Sequence, residues 1–212
     1  MKTTLLLSAL CLILAAMPCM AQEDTPQGDQ EIKTLFGNHK LSHGGYGGLT
    51  FGMDKIDGTY AFHSGIRAAW MIGHSFGFGI VGSGFSNNLW EYPSEDEVFY
   101  SLSGGYGGFL FEPVFAPRFP IHLSFPIVLG AGGVANTKTY QYNHNDWDVF
   151  VEDEAFFLVA QPGVELEFNL FKFMRLGVGA SYRMTTDIIL DGKKKDLLNG
   201  FMGQCSLKFG KF

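Results

Sequence analysis

The sequence is poor in cysteine, has no excess of basic residues and lacks a long hydrophobic run beyond its N-terminal segment. Two of its three cysteines lie within the first 21 residues, so a chain without that segment keeps only Cys205 and forms no intramolecular disulfide. The formal net charge of −6 argues against a nucleic-acid partner, which would require a basic patch. No later apolar run reaches the roughly 18 residues that a helical span needs, which leaves strands as the candidate membrane-spanning elements.

The N-terminal segment "MKTTLLLSALCLILAAMPCMA" is typical of a secretory signal peptide. Lys2 precedes the apolar run Leu5–Ala16, and a small residue ends the segment, which predicts cleavage after residues 1–21. Loss of Lys2 lowers the formal net charge by one, from −6 to −7. The alternative is a lipoprotein signal with Cys19 acylated, although Pro18 fits poorly directly before an acylated cysteine.

After a polar leader, 22–42, the remainder 43–212 consists of recurring segments in which apolar and polar residues alternate. A period of two residues is typical of β-strands, and no segment keeps a helical period over three turns. Eight segments can be counted, which predicts an all-β fold. They are 44–54, 59–71, 76–87, 98–111, 121–134, 155–168, 173–184 and 198–210.

The stretch "GVELEFNLFKFMRLGVGASYR" shows this alternation most clearly. Val164 and Leu166 share one face of the predicted strand, whereas Glu165 and Glu167 share the other. A narrow eight-stranded barrel would be overfilled if every large apolar side chain pointed inwards. We therefore predict an inverted barrel with the apolar face towards lipid and an ion-pair network in the lumen. Its predicted members are Arg67, Glu165, Glu167, Arg175, Arg183 and Lys208, with Asp54 as a further carboxylate.

The connections between the segments also indicate a membrane barrel. Short turns at "IGHS", "EPVFAPRFP" and "NLFK" alternate with long polar loops at 87–97, 136–154 and 185–196, apart from a tight Asp57-Gly58 turn in the first hairpin. Outer-membrane barrels have short periplasmic turns and longer extracellular loops. "DGKKKD" at 191–196 is interpreted as the tip of a hairpin that projects from the bilayer.

A strand pairing is also predicted. In the hairpin formed by segments 155–168 and 173–184, Arg175 is expected opposite Glu165 or Glu167.

Aromatic residues concentrate near the predicted strand ends, as expected for two membrane-interface belts. Segment 98–111 is ambiguous, because Phe109 and Phe111 are out of phase with Leu102, Tyr106 and Leu110. The predicted interface aromatics are Tyr60, Trp70, Phe76, Phe168, Phe173, Tyr182 and Phe209, and Phe85 is expected in the extracellular belt.

The chain resembles small eight-stranded outer-membrane barrels such as the OmpA transmembrane domain and OmpX. The resemblance covers about Gly44 to Phe212 and rests on "GGYGGLTF", its echo "GGYGGFLF", the run "FEPVFAPRFPIHLSFPIVLGAGG" and the terminal "LNGFMGQCSLKFGKF". It implies an eight-stranded antiparallel up-and-down transmembrane β-barrel in the bacterial outer membrane. It also implies that Phe212 is an aromatic signal for the barrel-assembly machinery, although Phe209 and Phe212 cannot share one strand face.

Catalytic, metal and cofactor sites are not predicted. The GGYGG stretches do not open a helix, as a phosphate loop would, so their glycines are expected to relieve crowding. His122 and Ser124 share the lumen face, but no third residue is expected to orient the histidine. The acidic loop 136–154 could gather divalent cations, yet it lacks the spacing of a calcium loop and is expected to be solvated.

The leading functional hypothesis is a non-enzymatic barrel with a structural or adhesive role. Its expected partners are outer-membrane lipids and lipopolysaccharide, with an extracellular partner that the sequence does not identify. Trp90, Tyr92 and Trp147 are the candidate contact residues, because exposed loop aromatics can anchor partners. Two alternatives are a soluble lipocalin-like carrier of an apolar ligand, with the Val164 face lining its cavity, and an outer-membrane lipid-modifying enzyme.

Overall fold

The structure, a computed structural model, describes residues 42–87, 98–143 and 146–212. The predicted signal peptide, almost all of the leader, Trp90 and Tyr92 lie outside these residues. Within the described ranges, no helix is long and apolar enough to span a lipid bilayer. The described chain forms nine β-strands: β1 (His43–Ile56), β2 (Thr59–Ile72), β3 (Phe76–Asn87), β4 (Val98–Phe115), β5 (Ile121–Ser124), β6 (Ile127–Asn143), β7 (Asp146–Phe171), β8 (Met174–Thr185) and β9 (Gly200–Lys211).

The nine strands close into a ring of eight barrel positions. β5 and β6 occupy one position, because both lie between β4 and β7. The break between them contains Pro126, which has no N–H to donate to a strand ladder. All other neighbours are consecutive and antiparallel, and β9 pairs with β1 to close the ring. The predicted up-and-down eight-stranded barrel is therefore confirmed.

The turns follow the chemistry of their residues. Asp57 and Gly58 have φ angles of 52° and 83°, as a two-residue type I′ hairpin requires, and Ile56 pairs with Thr59 across them. At the opposite end of the barrel, the turns 73–75, 116–120 and 172–173 are short, as predicted. The Asp57-Gly58 turn and the long connections therefore lie at the same end of the barrel, which we call the extracellular end.

The predicted long loop 136–154 is wrong, because most of it is strand. β6 runs to Asn143 and β7 begins at Asp146, and the two pair with bulges at Asn136/Thr137 and Gln141/Asn143. Acidic and Asn residues in this segment suggest a loop, but the Thr, Tyr, Val and Phe residues between them favour strand. The β6–β7 hairpin and the start of β4, whose Val98 pairs with Tyr140, therefore extend beyond the remaining strands at the extracellular end.

The hairpin tip predicted at 191–196 is also wrong. Residues 186–199 form an irregular loop that turns at Gly192, where φ is 70°, and the Ile188 amide donates to the Lys195 carbonyl oxygen at 2.9 Å. Four apolar side chains of this loop are buried in the barrel opening, namely Ile188, Leu190, Leu197 and Leu198. The loop closes the extracellular end because its apolar residues point back into the lumen.

Large side chains in the lumen are accommodated by glycines on neighbouring strands. Phe85, which was expected in the extracellular belt, is instead inside and only 4% exposed. A Cβ at Gly104 would approach Phe85 Cζ to 2.7 Å, and one at Gly132 would approach Phe157 Cζ to 2.8 Å. Gly104 of the second GGYGG stretch and Gly132 of β6 therefore make room for rings in a narrow barrel.

Strand β4 resolves the ambiguity of segment 98–111. Leu102, Tyr106 and Leu110 are buried in the lumen, whereas Phe109 is 57% exposed on the outer wall. Both faces of this strand carry large residues, so alternation alone did not assign them.

Candidate functional site: the charged lumen and the outer wall

The inside of the barrel is the charged face. Glu165 is fully buried and Arg175 is 4% exposed, whereas Leu166 is 40% and Val178 is 50% exposed. Successive strand residues point to opposite sides of the wall, so these values place the ionic side chains in the lumen and the apolar ones outside. A lipocalin-like carrier would need the reverse arrangement, and this alternative is therefore wrong.

The outer wall carries an apolar band between aromatic residues. Tyr60 and Trp70 lie ten residues apart on the outer face of β2 and are 62% and 52% exposed. Ten residues of a strand tilted by roughly 40° span about 25 Å, the height of the apolar band of a membrane barrel. The other predicted interface aromatics also lie on the outer wall: Phe76, Phe168, Phe173, Tyr182 and Phe209.

The central ionic cluster is organised around Lys208 on β9. The Lys208 ammonium lies 2.5 Å from Glu112 Oε1, 2.5 Å from Glu167 Oε1 and 3.3 Å from Glu165 Oε2. Arg67 on β2 reaches Glu165 at 3.0 Å and Glu112 at 3.6 Å. Three carboxylates from two strands are thus surrounded by cations from two others.

Further donors complete this cluster. Arg175 Nη1 lies 3.4 Å from Glu167 Oε2, and Gln204 and Ser206 donate to Glu165 at 2.8 and 2.9 Å. The Tyr46 hydroxyl donates to Glu112. Buried carboxylates are tolerated when their oxygens are both neutralised and hydrogen-bonded, and this cluster meets both conditions.

A second ionic cluster lies nearer the extracellular end. Asp54 on β1 accepts from Arg183 Nη2 at 2.6 Å and contacts His63 Nε2 at 2.9 Å. Arg183 Nε also donates to the carbonyl oxygen of Leu198 at 2.7 Å, which ties the covering loop to the lumen. The loop is therefore held by a charged group as well as by its apolar side chains.

The charges of the described lumen balance. Its four buried carboxylates are Asp54, Glu112, Glu165 and Glu167, and its four buried permanent cations are Arg67, Arg175, Arg183 and Lys208. All six residues predicted for the lumen network lie in these two clusters.

Sequence reasoning missed Glu112 and Tyr46. Glu112 precedes Pro113 and was assigned to a turn, but β4 continues to Phe115. The even-numbered inward positions of β4, from Leu102 through Leu110, extend to Glu112 and could have identified it.

The expected strand pairing of Arg175 is wrong. Arg175 lies opposite Asn169 in the ladder, because the connecting turn is only residues 172–173 and the two strands pair as far as Phe171 and Met174. Its long side chain still reaches Glu167 within the lumen at 3.4 Å.

The three central carboxylates do not form an open metal site. Ligand oxygens of Glu112, Glu165 and Glu167 lie within 4.8 Å of one another, which is suitable spacing for a cation. Lys208 Nζ already contacts all three, so an ammonium supplies the charge that a metal ion would bring.

The geometry of His122 differs from the expectation that no residue orients it. Its Nε2 lies 3.0 Å from Glu167 Oε2, and its Nδ1 lies 3.2 Å from the Phe119 carbonyl oxygen. Both ring nitrogens are engaged, so neither is directed to take a proton from Ser124. His122 and Ser124 both lie in the lumen, but the hydrogen bonds of His122 go to Glu167 and Phe119, as in a structural histidine.

Phe212 lies at the periplasmic end of the lumen. Its ring stacks on Tyr46 with centroids 5.6 Å apart, and the Arg175 guanidinium carbon lies 3.9 Å from its centroid. Phe209 is on the outer wall, so the two aromatics face opposite sides, as their spacing predicted. The role of Phe212 as an assembly signal stays a prediction.

Comparisons with known proteins returned structural similarities only. No family model and no curated protein matches the sequence. The structure is similar to Neisserial surface protein A, with 14% identity, a TM-score of 0.48 and coverage of 82% of this chain and 100% of that chain.

Two further solved structures are similar. Ail, the attachment invasion locus protein of Yersinia pestis, has 13% identity and a TM-score of 0.41, covering 79% of this chain and 95% of that chain. The N-terminal β-barrel domain of Pseudomonas aeruginosa OprF has 8% identity and a TM-score of 0.40, covering 78% and 96%. Sequence identities and TM-scores this low say nothing about the activity of this chain.

The architecture follows from the strand pairing and from the two faces of the wall. A closed antiparallel ring leaves no unpaired sheet edge along most of its height, and its outer apolar band is the surface that a lipid bilayer solvates. The chain therefore folds as an eight-stranded antiparallel β-barrel with the outer wall of a membrane-spanning barrel.

Proposed function

We propose that the protein is a non-enzymatic barrel that acts at the cell surface, in adhesion or as a structural element, through its extracellular extensions. The observation that carries this proposal is the β6–β7 hairpin. Phe156 is 84% exposed on the outer wall, and Asp146 lies ten residues further along β7. At about 3.3 Å per residue, the hairpin extends about 30 Å along the strand beyond the band.

The filled lumen favours a function on the outside of the barrel over transport through it. A cavity in the lumen, lined among others by His63, Arg67 and Tyr106, has a volume of about 30 Å³, room for only a few water molecules. The ion-pair clusters and the loop 186–199 fill the remainder, which opposes solute passage.

The hairpin offers residues suited to partner contact. Val151 is 60% exposed, and Trp147 lies on β7 near the tip of the hairpin, opposite Gln141. Large aromatic side chains supply much of the binding energy at protein interfaces. Trp90 and Tyr92, in the neighbouring connection, are proposed to contribute to the same surface.

Lipid and assembly partners are also part of this proposal. Outer-membrane lipids and lipopolysaccharide would contact the outer wall, which agrees with its exposed apolar side chains. The barrel-assembly machinery would recognise the last strand, β9, during biogenesis.

Trimming the hairpin tests the adhesive role. Thr137 pairs with Val151, so residues 138–150 can be replaced by an Asn-Gly turn that joins the two strands at this point. Residues 98–100 of β4, which pair with the removed residues 138–140, then become part of the connection between β3 and β4. We expect adhesion of expressing cells to an epithelial monolayer to fall by roughly tenfold, and Trp147→Ala to give a smaller loss in the same direction.

The matched control for this experiment is Lys194→Ala in the covering loop, which is exposed at the same end and leaves the hairpin intact. The proteins are compared at equal amounts of folded barrel, which heat-modifiable gel mobility measures. Equal adhesion of the trimmed and unmodified proteins at equal surface level would contradict an adhesive role for the hairpin.

His122→Ala tests the enzymatic alternative. Because both ring nitrogens have hydrogen-bond partners, we expect the lipid A and phospholipid profile of expressing cells, measured by mass spectrometry, to stay unchanged. Ser124→Ala is expected to give the same result. A lipid species that depends on the protein and disappears in both variants would establish a lipid-modifying enzyme.

A further inference from the structure

The seam between the first and last barrel strands is incomplete at its extracellular end. Pairing of β1 with β9 runs from Gly45↔Lys211 to Met53↔Gly203 and then stops. Residues 54–56 pair onwards with β2 alone, and residues 200–202 pair with β8 alone. The barrel wall therefore has a gap, three residues deep on each strand, which we call the seam notch.

The seam notch is a groove on the outer wall with a volume of about 310 Å³. Its rim carries large exposed side chains, with Met53 50%, Tyr60 62% and Phe201 77% exposed. The Phe201 ring packs edge-on against Tyr182 at 4.8 Å, which fixes that side of the groove. The lining residues are Met53, Asp54, Lys55, Tyr60, Gly200 and Phe201.

The notch combines this apolar rim with a cation. The Lys55 ammonium lies 4.8 Å above the centroid of the Tyr60 ring, and within the described ranges Lys55 has no carboxylate as an ion-pair partner. The adjacent Asp54 is turned inwards, where it is paired with Arg183 and hydrogen-bonded to His63, so it does not compensate Lys55. The outer side of the notch is therefore positively charged.

The position of the notch restricts what can occupy it. Tyr60 belongs to the extracellular aromatic belt, where lipid headgroups meet acyl chains. Backbone groups without a strand partner are costly next to hydrocarbon, so the open edges at 54–56 and 200–202 need a polar group beside them. A partner that is apolar at one end and anionic at the other satisfies both parts of the groove.

We propose that the seam notch binds the phosphorylated lipid of the outer leaflet, with an acyl chain against Met53 and Phe201 and a lipid A phosphate on Lys55. The inference rests on the proposed contact of the outer wall with lipopolysaccharide and names the site and the chemistry of that contact. The polar headgroup would also cover the open strand edges.

The experiment measures lipid retained by the purified, detergent-solubilised full chain in native mass spectrometry. The probes are bisphosphorylated lipid A, the same lipid A without phosphates, and phosphatidylglycerol. We expect the intact protein to retain bisphosphorylated lipid A most strongly and Lys55→Gln to lower that retention about fivefold, the effect of one lysine at an anionic lipid surface.

A second variant fills the groove without removing the charge. Gly203 shares the outer face with Phe201 and lies opposite Met53, and a Cβ there would have no heavy atom within 4 Å, so Gly203→Phe can place a ring over the groove. It is expected to lower retention of lipid A with and without phosphates, whereas Lys55→Gln affects only the phosphorylated form. Lys211→Gln, an exposed lysine on the outer wall at the periplasmic end, is the control and should leave retention unchanged.

Heat-modifiable mobility confirms that each variant is folded. The proposal is overturned if both notch variants retain lipid A as the intact protein does, if the control loses as much as Lys55→Gln, or if phosphatidylglycerol is retained more strongly than lipid A. Failure here is separable from failure of the adhesive role, because none of these substitutions lies in the β6–β7 hairpin.

Discussion

Lys208→Met is expected to lower the free energy of unfolding by about 3–5 kcal/mol, the usual cost of removing one partner from a buried ion pair. The ammonium contacts Glu112, Glu165 and Glu167, and methionine keeps the length of the side chain but removes its charge. Three carboxylates would then share two remaining cations. Denaturant unfolding of the barrel in lipid vesicles, followed by tryptophan fluorescence, measures the loss.

Two variants separate charge from packing in this prediction. Lys211→Met removes an exposed lysine from the same strand and is expected to cost less than about 0.5 kcal/mol. Adding Glu112→Gln to Lys208→Met restores the charge balance, leaves an amide oxygen for the Tyr46 hydroxyl, and should recover more than half of the stability. A Lys208→Met protein as stable as the Lys211→Met protein would show that the cluster does not depend on ionic neutralisation.

Val178→Arg is expected to destabilise the barrel in lipid by about 2–4 kcal/mol, the cost of a cation on the lipid face near the bilayer midplane. Val178 is 50% exposed on the outer wall of β8, midway between the aromatics Phe173 and Tyr182. In water the same substitution at an exposed position would change little. Folding yield into vesicles and denaturant unfolding both measure the effect.

The matched control is Ile189→Arg in the covering loop, where the side chain is 78% exposed at the extracellular end. It is expected to change stability by less than about 0.5 kcal/mol. If Val178→Arg costs no more than Ile189→Arg, the outer wall faces water and the placement in the outer membrane is wrong.

Predictions that depended on one strand were largely confirmed. The alternation in β7 and β8 assigned Glu165 and Arg175 to one face and Leu166 and Val178 to the other, because the two-residue period is a local property of an extended chain. The same reasoning gave no answer for β4, where both faces carry large side chains, and the glycines on neighbouring strands decided which face could enter the lumen.

Predictions that depended on loop composition failed more often. In the acidic and Asn-rich segment 136–154, the described residues 136–143 and 146–154 form paired strands, because each half supplies the other with hydrogen-bond partners once the hairpin forms. The polar segment around Gly192 was assigned to a projecting tip, but the buried Ile188 and Leu198 beside it bring the loop back over the lumen. Its position depends on an apolar opening that only the closed barrel provides.

The sequence by itself determined the number of barrel positions, the end at which the turns are short, and most of the charged residues on the inner face, with Glu112 as the exception. Only the tertiary structure decided which charges meet, because partners such as Asp54 and Arg183 are 129 residues apart and Glu112 and Lys208 are 96 apart. A two-residue period specifies a face but carries no information about height or direction across the lumen. These depend on the stagger of the strands at closure, which also leaves the notch between β1 and β9.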